Sequence, residues 1–246
     1  MRRLFMALMA VALLAGSSSA SIIVIDDFDS PPGPVPLAEY EVGFTLTDPQ
    51  SGSNVGLPPL QTIGGQRDYV LDYIGGGLAG DKVTANIVGG PLPPQVFSLS
   101  NDSEVMSTFK LIYGNASPLA QDFSDQVGVE IYFDDTDLDS EFIVELWDDS
   151  SGYDFMVYAL PDDFQGIYFV PAADFAMNSP VIDKIAITFG YASVDPNLGP
   201  NDEQATYTPS FDMKLDYIQT VAIPEPCSMT LLGLGLAGLV ARRRRR

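Results

Sequence analysis

The 246-residue chain has 12 Lys and Arg against 33 Asp and Glu, no His and a single Cys. Arg2, Arg3 and the five terminal arginines lie in the end segments, so residues 21–223 keep five basic residues (Arg67, Lys82, Lys110, Lys184, Lys214) against 32 acidic ones, a net charge of −27. Such a field repels phosphate backbones and anionic lipid, which excludes nucleic acid as a partner and favours divalent cations and neutral or cationic polymers. The absence of His removes Ser-His-Asp and Cys-His catalysis, and with Cys227 confined to the tail the body has neither disulfides nor thiolate metal sites.

Residues 1–20 read as a secretory signal peptide. Arg2 and Arg3 form its charged start, and the apolar run Leu4 to Ala15 is short for a membrane span. Ser18 and Ala20 supply the small residues that signal peptidase needs, which places cleavage between Ala20 and Ser21. The competing arrangement is an uncleaved anchor.

Residues 21–223 read as one domain. No period of 3.6 is sustained; short alternating runs are separated by Gly, Pro and Asn-Asp clusters. Early candidate strands are Ile22 to Phe28, Tyr40 to Thr47, Asp68 to Tyr73, Lys82 to Val88, Gln95 to Leu99 and Val105 to Tyr113. The clearest alternation follows: Val127, Val129, Ile131 and Phe133, then Phe142, Val144 and Leu146, then Ile185, Ile187 and Phe189. Tyr153 to Ala159, Gly166 to Val170 and Phe211 to Thr220 complete about a dozen strands, enough for two packed sheets. Pro31 to Pro36 and Pro91 to Pro94 read as extended connectors, and Asn197 to Gln204 as a surface loop. No constant repeat is present, which excludes solenoids and propellers.

Trp147 is the aromatic residue selected as a binding candidate. Alternation puts it on the face of Glu141 and Glu145, opposite Phe142, Val144 and Leu146, with Tyr132 and Glu130 expected on the equivalent face of a neighbouring strand. An aromatic plate beside carboxylates suits sugar stacking with hydroxyl hydrogen bonds; the alternative is that Trp147 is ordinary packing. The run through Asp134, Asp135, Asp137, Asp139 and Glu141 alternates hard oxygen ligands, and Asp135, Asp137, Asp139 and Glu141 are the candidate Ca²⁺ set. Ser140 stands where an EF-hand needs glycine, and Asp148, Asp149 and Asp154 around Gly152 form a second acidic turn. Beyond Ca²⁺ no cofactor is expected. Catalysis would fall to a carboxylate pair, and because no spacing selects one, no catalytic residue is assigned.

The chain ends in Pro224-Glu225-Pro226, an apolar stretch from Cys227 to Ala241, and Arg242, Arg243, Arg244, Arg245 and Arg246. The prolines stop any preceding element, fifteen helical residues span about 22 Å, and the arginines stay on the cytoplasmic side. Gly233, Gly235, Ala237 and Gly238 make one side of that helix small. In this order the three parts resemble the PEP-CTERM sorting signal of bacteria that make extracellular polysaccharide. The resemblance implies a single transmembrane sorting helix at 224–246, transient anchoring in the inner membrane, cutting near Pro-Glu-Pro by an exosortase-type protease, and transfer outward. A plain single-pass anchor is the alternative. The same tail has been labelled the C-terminal region of ice-binding proteins, but the Thr-rich arrays that function needs are absent.

The body also has motifs in the order of galactose-binding-like jelly-roll domains. They are Asp26-Asp27-Phe28-Asp29, Gly64-Gly65-Gln66-Arg67-Asp68, the run from Gly166 ending Val170-Pro171-Ala172-Ala173-Asp174-Phe175, and the closing Leu215-Asp216-Tyr217-Ile218. This similarity implies an all-β, jelly-roll-like two-sheet sandwich, which does not by itself confer sugar binding. The expectation is a non-catalytic protein of the cell surface or exopolysaccharide matrix with affinity for glycans. Its rival is a carboxylate-dependent glycan hydrolase.

Overall fold

The computed structural model describes residues 21–29, 37–43, 49–55, 57–58, 61–88 and 95–223. The expected signal peptide with Ala20, both proline connectors and the sorting segment with its apolar helix and arginines lie outside the described residues. Residues 22–221 form one compact unit.

The strands in chain order are β1 (Val24–Asp26), β2 (Ala38–Glu41), β3 (Gln50–Val55), β4 (Gln66–Gly75), β5 (Lys82–Val88), β6 (Val96–Asn101), β7 (Met106–Tyr113), β8 (Gln121–Asp122), β9 (Gln126–Thr136), β10 (Ser140–Asp148), β11 (Tyr153–Leu160), β12 (Gly166–Pro171), β13 (Val181–Ser193), β14 (Thr206–Tyr207) and β15 (Met213–Ala222). They make two antiparallel sheets, as the alternation predicts. The seven-stranded sheet has the order β12-β9-β15-β6-β5-β2, with β1 on β15; the eight-stranded sheet runs β11-β10-β13-β7-β4-β3, with β8 and β14 on β13. The edge strand β3 escapes the sequence pattern because Gln50-Ser51-Gly52-Ser53-Asn54-Val55 carries almost no apolar residue. Pairing with β4 makes it a strand.

The core lies between the sheets. Val129, Ile131 and Phe133 of β9 face Phe142, Val144 and Leu146 of β10, and all six are buried. Aromatic pairs join the two layers: Phe97 of β6 lies 4.8 Å from Phe109 of β7, and Phe133 lies 6.0 Å from Phe142. Each such ring, fully withdrawn from water, contributes about 2–3 kcal/mol. This aromatic interior supplies the stability that a body without cysteine cannot draw from disulfides.

At one end the core holds a charge. Asp26 on β1 and Arg67 on β4 form an ion pair whose side chains are fully buried, with both Nε and Nη2 of the guanidinium donating to the carboxylate. The Tyr113 hydroxyl donates to Asp26 Oδ2 at 3.0 Å, the Phe28 N–H donates to Oδ1 at 3.0 Å, and the Phe28 ring lies 5.0 Å from the guanidinium. The first two of the four motifs therefore meet in space.

The eight-stranded sheet has a second packed layer on its outer side. Ile143, Tyr191 and Val194 are buried there, with Phe155, Val157, Ala205 and Tyr207 against them. The segment expected as a surface loop supplies part of this cover. Gly199, at φ +52°, rests on the Phe155 ring with no room for a Cβ. Strands β10 and β11 are thus hidden on both faces over part of their length.

Candidate functional site

The four residues selected for sugar contact do not form one site. Trp147 and Glu145 belong to β10 in the eight-stranded sheet, whereas Tyr132 and Glu130 belong to β9 in the other. The two strands are consecutive in sequence but do not pair: β9 is taken by β12 and β15, and β10 by β11 and β13. Their outward residues consequently point away from each other on opposite sides of the sandwich.

Around Trp147 the expected chemistry is already engaged. Lys184 on β13 places its ammonium 4.3 Å from the indole centroid, and Tyr153 on β11 packs at 5.0 Å and 37° from the other flanking strand. Glu145 is buried and paired with Lys110, and it also accepts the Tyr153 hydroxyl at 3.2 Å. Glu141 accepts the Val194 N–H at 2.7 Å through Oε2. An indole with a neighbour on each flanking strand and carboxylates already in use favour the packing alternative for Trp147.

The acidic run is likewise dispersed. Asp137 Oδ1 accepts the Asp212 N–H at 2.8 Å, and Asp139 Oδ1 accepts the Asp162 N–H at 2.5 Å. Asp135 faces Lys214 at 3.9 Å, while Glu141 serves Val194. The four carboxylates thus turn to three segments, residues 212–214, Asp162 and Val194, and among the described residues no three His, Cys, Asp or Glu side chains converge to hold a metal. Asp135 sits at the end of β9, Asp137 and Asp139 in the short connection and Glu141 at the start of β10, and each is drawn to its own partner rather than toward a common point. The second acidic turn is also used internally. Asp148 accepts N–H groups of Ser150, Gly152, Asn178 and Ser179 at 2.6–2.9 Å. Burial pushes its pKa up, but the hydrogen bonds from Gly152, Ser150, Ser179 and Asn178 outweigh that and bring it to about 2.

The other outer face is built differently. Ile167 of β12 stands opposite Tyr132 of β9, and Phe169 stands opposite Glu130. Phe169 reaches diagonally over Gly128, where a Cβ would come within 2.7 Å of the ring. An aromatic side chain covering a cross-strand glycine lies down on the sheet, and Phe169 keeps 43 % of its surface in solvent. On the far side Tyr132 stacks on Tyr217 of β15, with centroids 5.3 Å apart and planes 22° from parallel. Gln219 Nε2 donates to Glu130 Oε2 at 3.2 Å, one step along the same two strands from this pair. Burial raises the pKa of Tyr217, with Glu130, Asp216 and Tyr132 adding to it, so its hydroxyl stays protonated. The result is a shallow apolar and aromatic strip across three strands, centred on an acceptor and an amide. Tyr132 and Glu130 are the two residues that sequence alternation selected here. Phe169, Tyr217 and Gln219 were missed, although Tyr217 lies in a closing motif already singled out.

The chain is thus an all-β sandwich followed by a sorting segment. Residues 222–246 match the PEP-CTERM protein-sorting motif, which marks an exported protein that an exosortase processes. No curated protein matches the chain. Among solved structures it is similar to the family 11 carbohydrate-binding module from Clostridium thermocellum in complex with a beta-1,3-1,4-mixed-linked tetrasaccharide, at 12 % identity and TM-score 0.37 over 85 % of this chain and 99 % of that one. The same module from the cellulosomal cellulase Lic26A-Cel5E of Clostridium thermocellum aligns at 13 % identity and TM-score 0.34 over 76 % and 96 %. An exo-beta-agarase aligns at 12 % and TM-score 0.35, over 63 % of this chain and 23 % of the enzyme.

Proposed function

We propose that this is a non-catalytic glycan-binding protein of the cell surface or exopolysaccharide matrix, released from its signal peptide after Ala20 and sorted through its C-terminal motif. The observation that carries the binding role is Phe169 lying over Gly128 and keeping part of its surface in solvent, on the same sheet face as the stacked Tyr132 and Tyr217 and the Glu130–Gln219 pair. Exposed rings take the apolar faces of successive sugar residues, and the carboxylate and amide take their hydroxyls. A net charge of −27 in the body opposes acidic polymers, so the ligand class is a neutral polysaccharide. The strip is shallow and crosses strands β12, β9 and β15, a shape that suits the side of a long chain more than a small molecule.

A binding panel tests this. The full chain, in a detergent that contains no sugar, is passed through gels containing a mixed-linked β-glucan, a galactomannan or alginate. Retardation by at least one neutral polymer, none by alginate, and no release of reducing ends is the expected pattern. Reducing-end release abolished by a single Asp or Glu substitution would establish the hydrolase instead. Mass spectrometry of surface-exposed protein tests the sorting: loss of Arg242 to Arg246 is expected, and an intact tail would mean a plain anchor.

A further inference from the structure

On the outer face of the eight-stranded sheet, away from the segment that covers β10 and β11, strands β3, β4 and β7 and the loop after β7 line an open pocket of about 420 Å³. Its lining includes Ser53, Gln66 and Asp68 on one side, Val70 and Ile112 as an apolar floor, and Asn115 on the loop. Asp68 is 7 % exposed, and its orientation is set by two donors that converge on Oδ1: the Ser53 hydroxyl and Gln66 Nε2, the latter at 2.7 Å. Gln66 Nε2 also reaches Ser53 Oγ at 2.8 Å, which closes the triad. Neither donor engages Oδ2.

We propose that this cavity is a second sugar site, seating one terminal, neutral pyranose residue. A carboxylate held through Oδ1, with Oδ2 taken by neither of these donors, is an acceptor for vicinal hydroxyls, and Asn115 adds both a donor and an acceptor. Val70 and Ile112 meet the C–H face of the ring. The volume suits one or two sugar residues and the polar groups are few and fixed, the usual make-up of a small-molecule pocket. The site is independent of the strip on the other sheet. It differs from it in taking a chain end in a recess, where the strip takes the side of a chain. With the two on opposite faces of the sandwich, one molecule would hold two polymer chains together.

Saturation-transfer NMR on the full chain with the methyl glycosides of glucose, galactose and mannose, and with glucosamine, tests the proposal. At least one neutral glycoside is expected to bind weakly. Asp68→Asn and Ala116→Trp, which fills the mouth from an exposed loop, should each weaken it at least tenfold, and Leu78→Ala, at an exposed position outside both sites, should leave it unchanged. If Asp68→Asn fails to fold by near-UV circular dichroism, Ala116→Trp decides. Absence of binding by every neutral glycoside, binding that survives Ala116→Trp, or binding lost in Leu78→Ala would overturn the second site. Because polymer retardation is read separately, failure of the strip would show as lost retardation with glycoside binding intact.

Discussion

Asp26 and Arg67, 41 residues apart, meet as an ion pair with no exposed side-chain surface, closed by the Tyr113 hydroxyl on one side and the Phe28 ring on the other. The pair fastens β1 to β4, and so one sheet to the other, where β1 lies against β15. Removing one partner leaves an uncompensated buried charge, which costs about 3–5 kcal/mol, whereas replacing both with apolar groups is often neutral. Asp26→Asn and Arg67→Met should each lower the unfolding free energy measured by urea titration by that amount, and Asp26→Leu with Arg67→Met should recover most of the loss. Tyr113→Phe, which removes one hydrogen bond to a charged group, should cost about 1.5–3 kcal/mol.

Acid should act on two carboxylates in opposite directions. The folded pKa of Asp148, about 2, lies below its ordinary 3.8, so its contribution is present above about pH 4 and disappears as pH falls toward 2. Asp27 is pushed up to about 6, mainly by burial and further by Asp29 and Asp26 against the Asp29 N–H. Its folded form holds the proton more tightly, so stability should rise as pH falls from 6 toward 4. Melting temperatures across this range should show both slopes, with Asp27→Asn flattening the upper one and Asp148→Asn the lower.

Calcium should leave the melting temperature unchanged. A ligand that binds only the folded state raises stability in proportion to its occupancy, and the carboxylates of Asp137, Asp139 and Glu141 are each tied to a separate backbone N–H. Thermal scans with millimolar Ca²⁺ and with chelator are expected to coincide. A rise of several degrees would show that the acidic run gathers around an ion.

The strands were legible because period-2 alternation is local: Val129, Ile131 and Phe133 declare a buried face without reference to any partner. Which sheet a strand joins was not legible, because pairing is decided by distant segments. Tyr132 and Trp147 are fifteen residues apart on consecutive strands, and only the competition of β12, β15, β11 and β13 for those strands sends the two rings to opposite sides. The same limit hid the engagement of Glu141, since Val194 lies 53 residues away. Phe169 gave no signal by itself; its meaning comes from Gly128, a cross-strand neighbour that register alone supplies. Asp26 and Arg67 stood in recognisable motifs, yet nothing in those motifs said that they touch.

The most direct test of the glycan-binding account compares Phe169→Ala with Trp147→Phe by affinity electrophoresis in the neutral polymer that retards the wild type. Truncating an anchoring aromatic typically costs about 2 kcal/mol or more in binding, so Phe169→Ala should lose roughly thirtyfold or more in affinity, and as an exposed position it should melt within a few degrees of wild type. Trp147→Phe should bind as the wild type does. Retardation that survives Phe169→Ala but is lost in a folded Trp147→Phe protein would contradict the account and return the site to the other face of the sandwich.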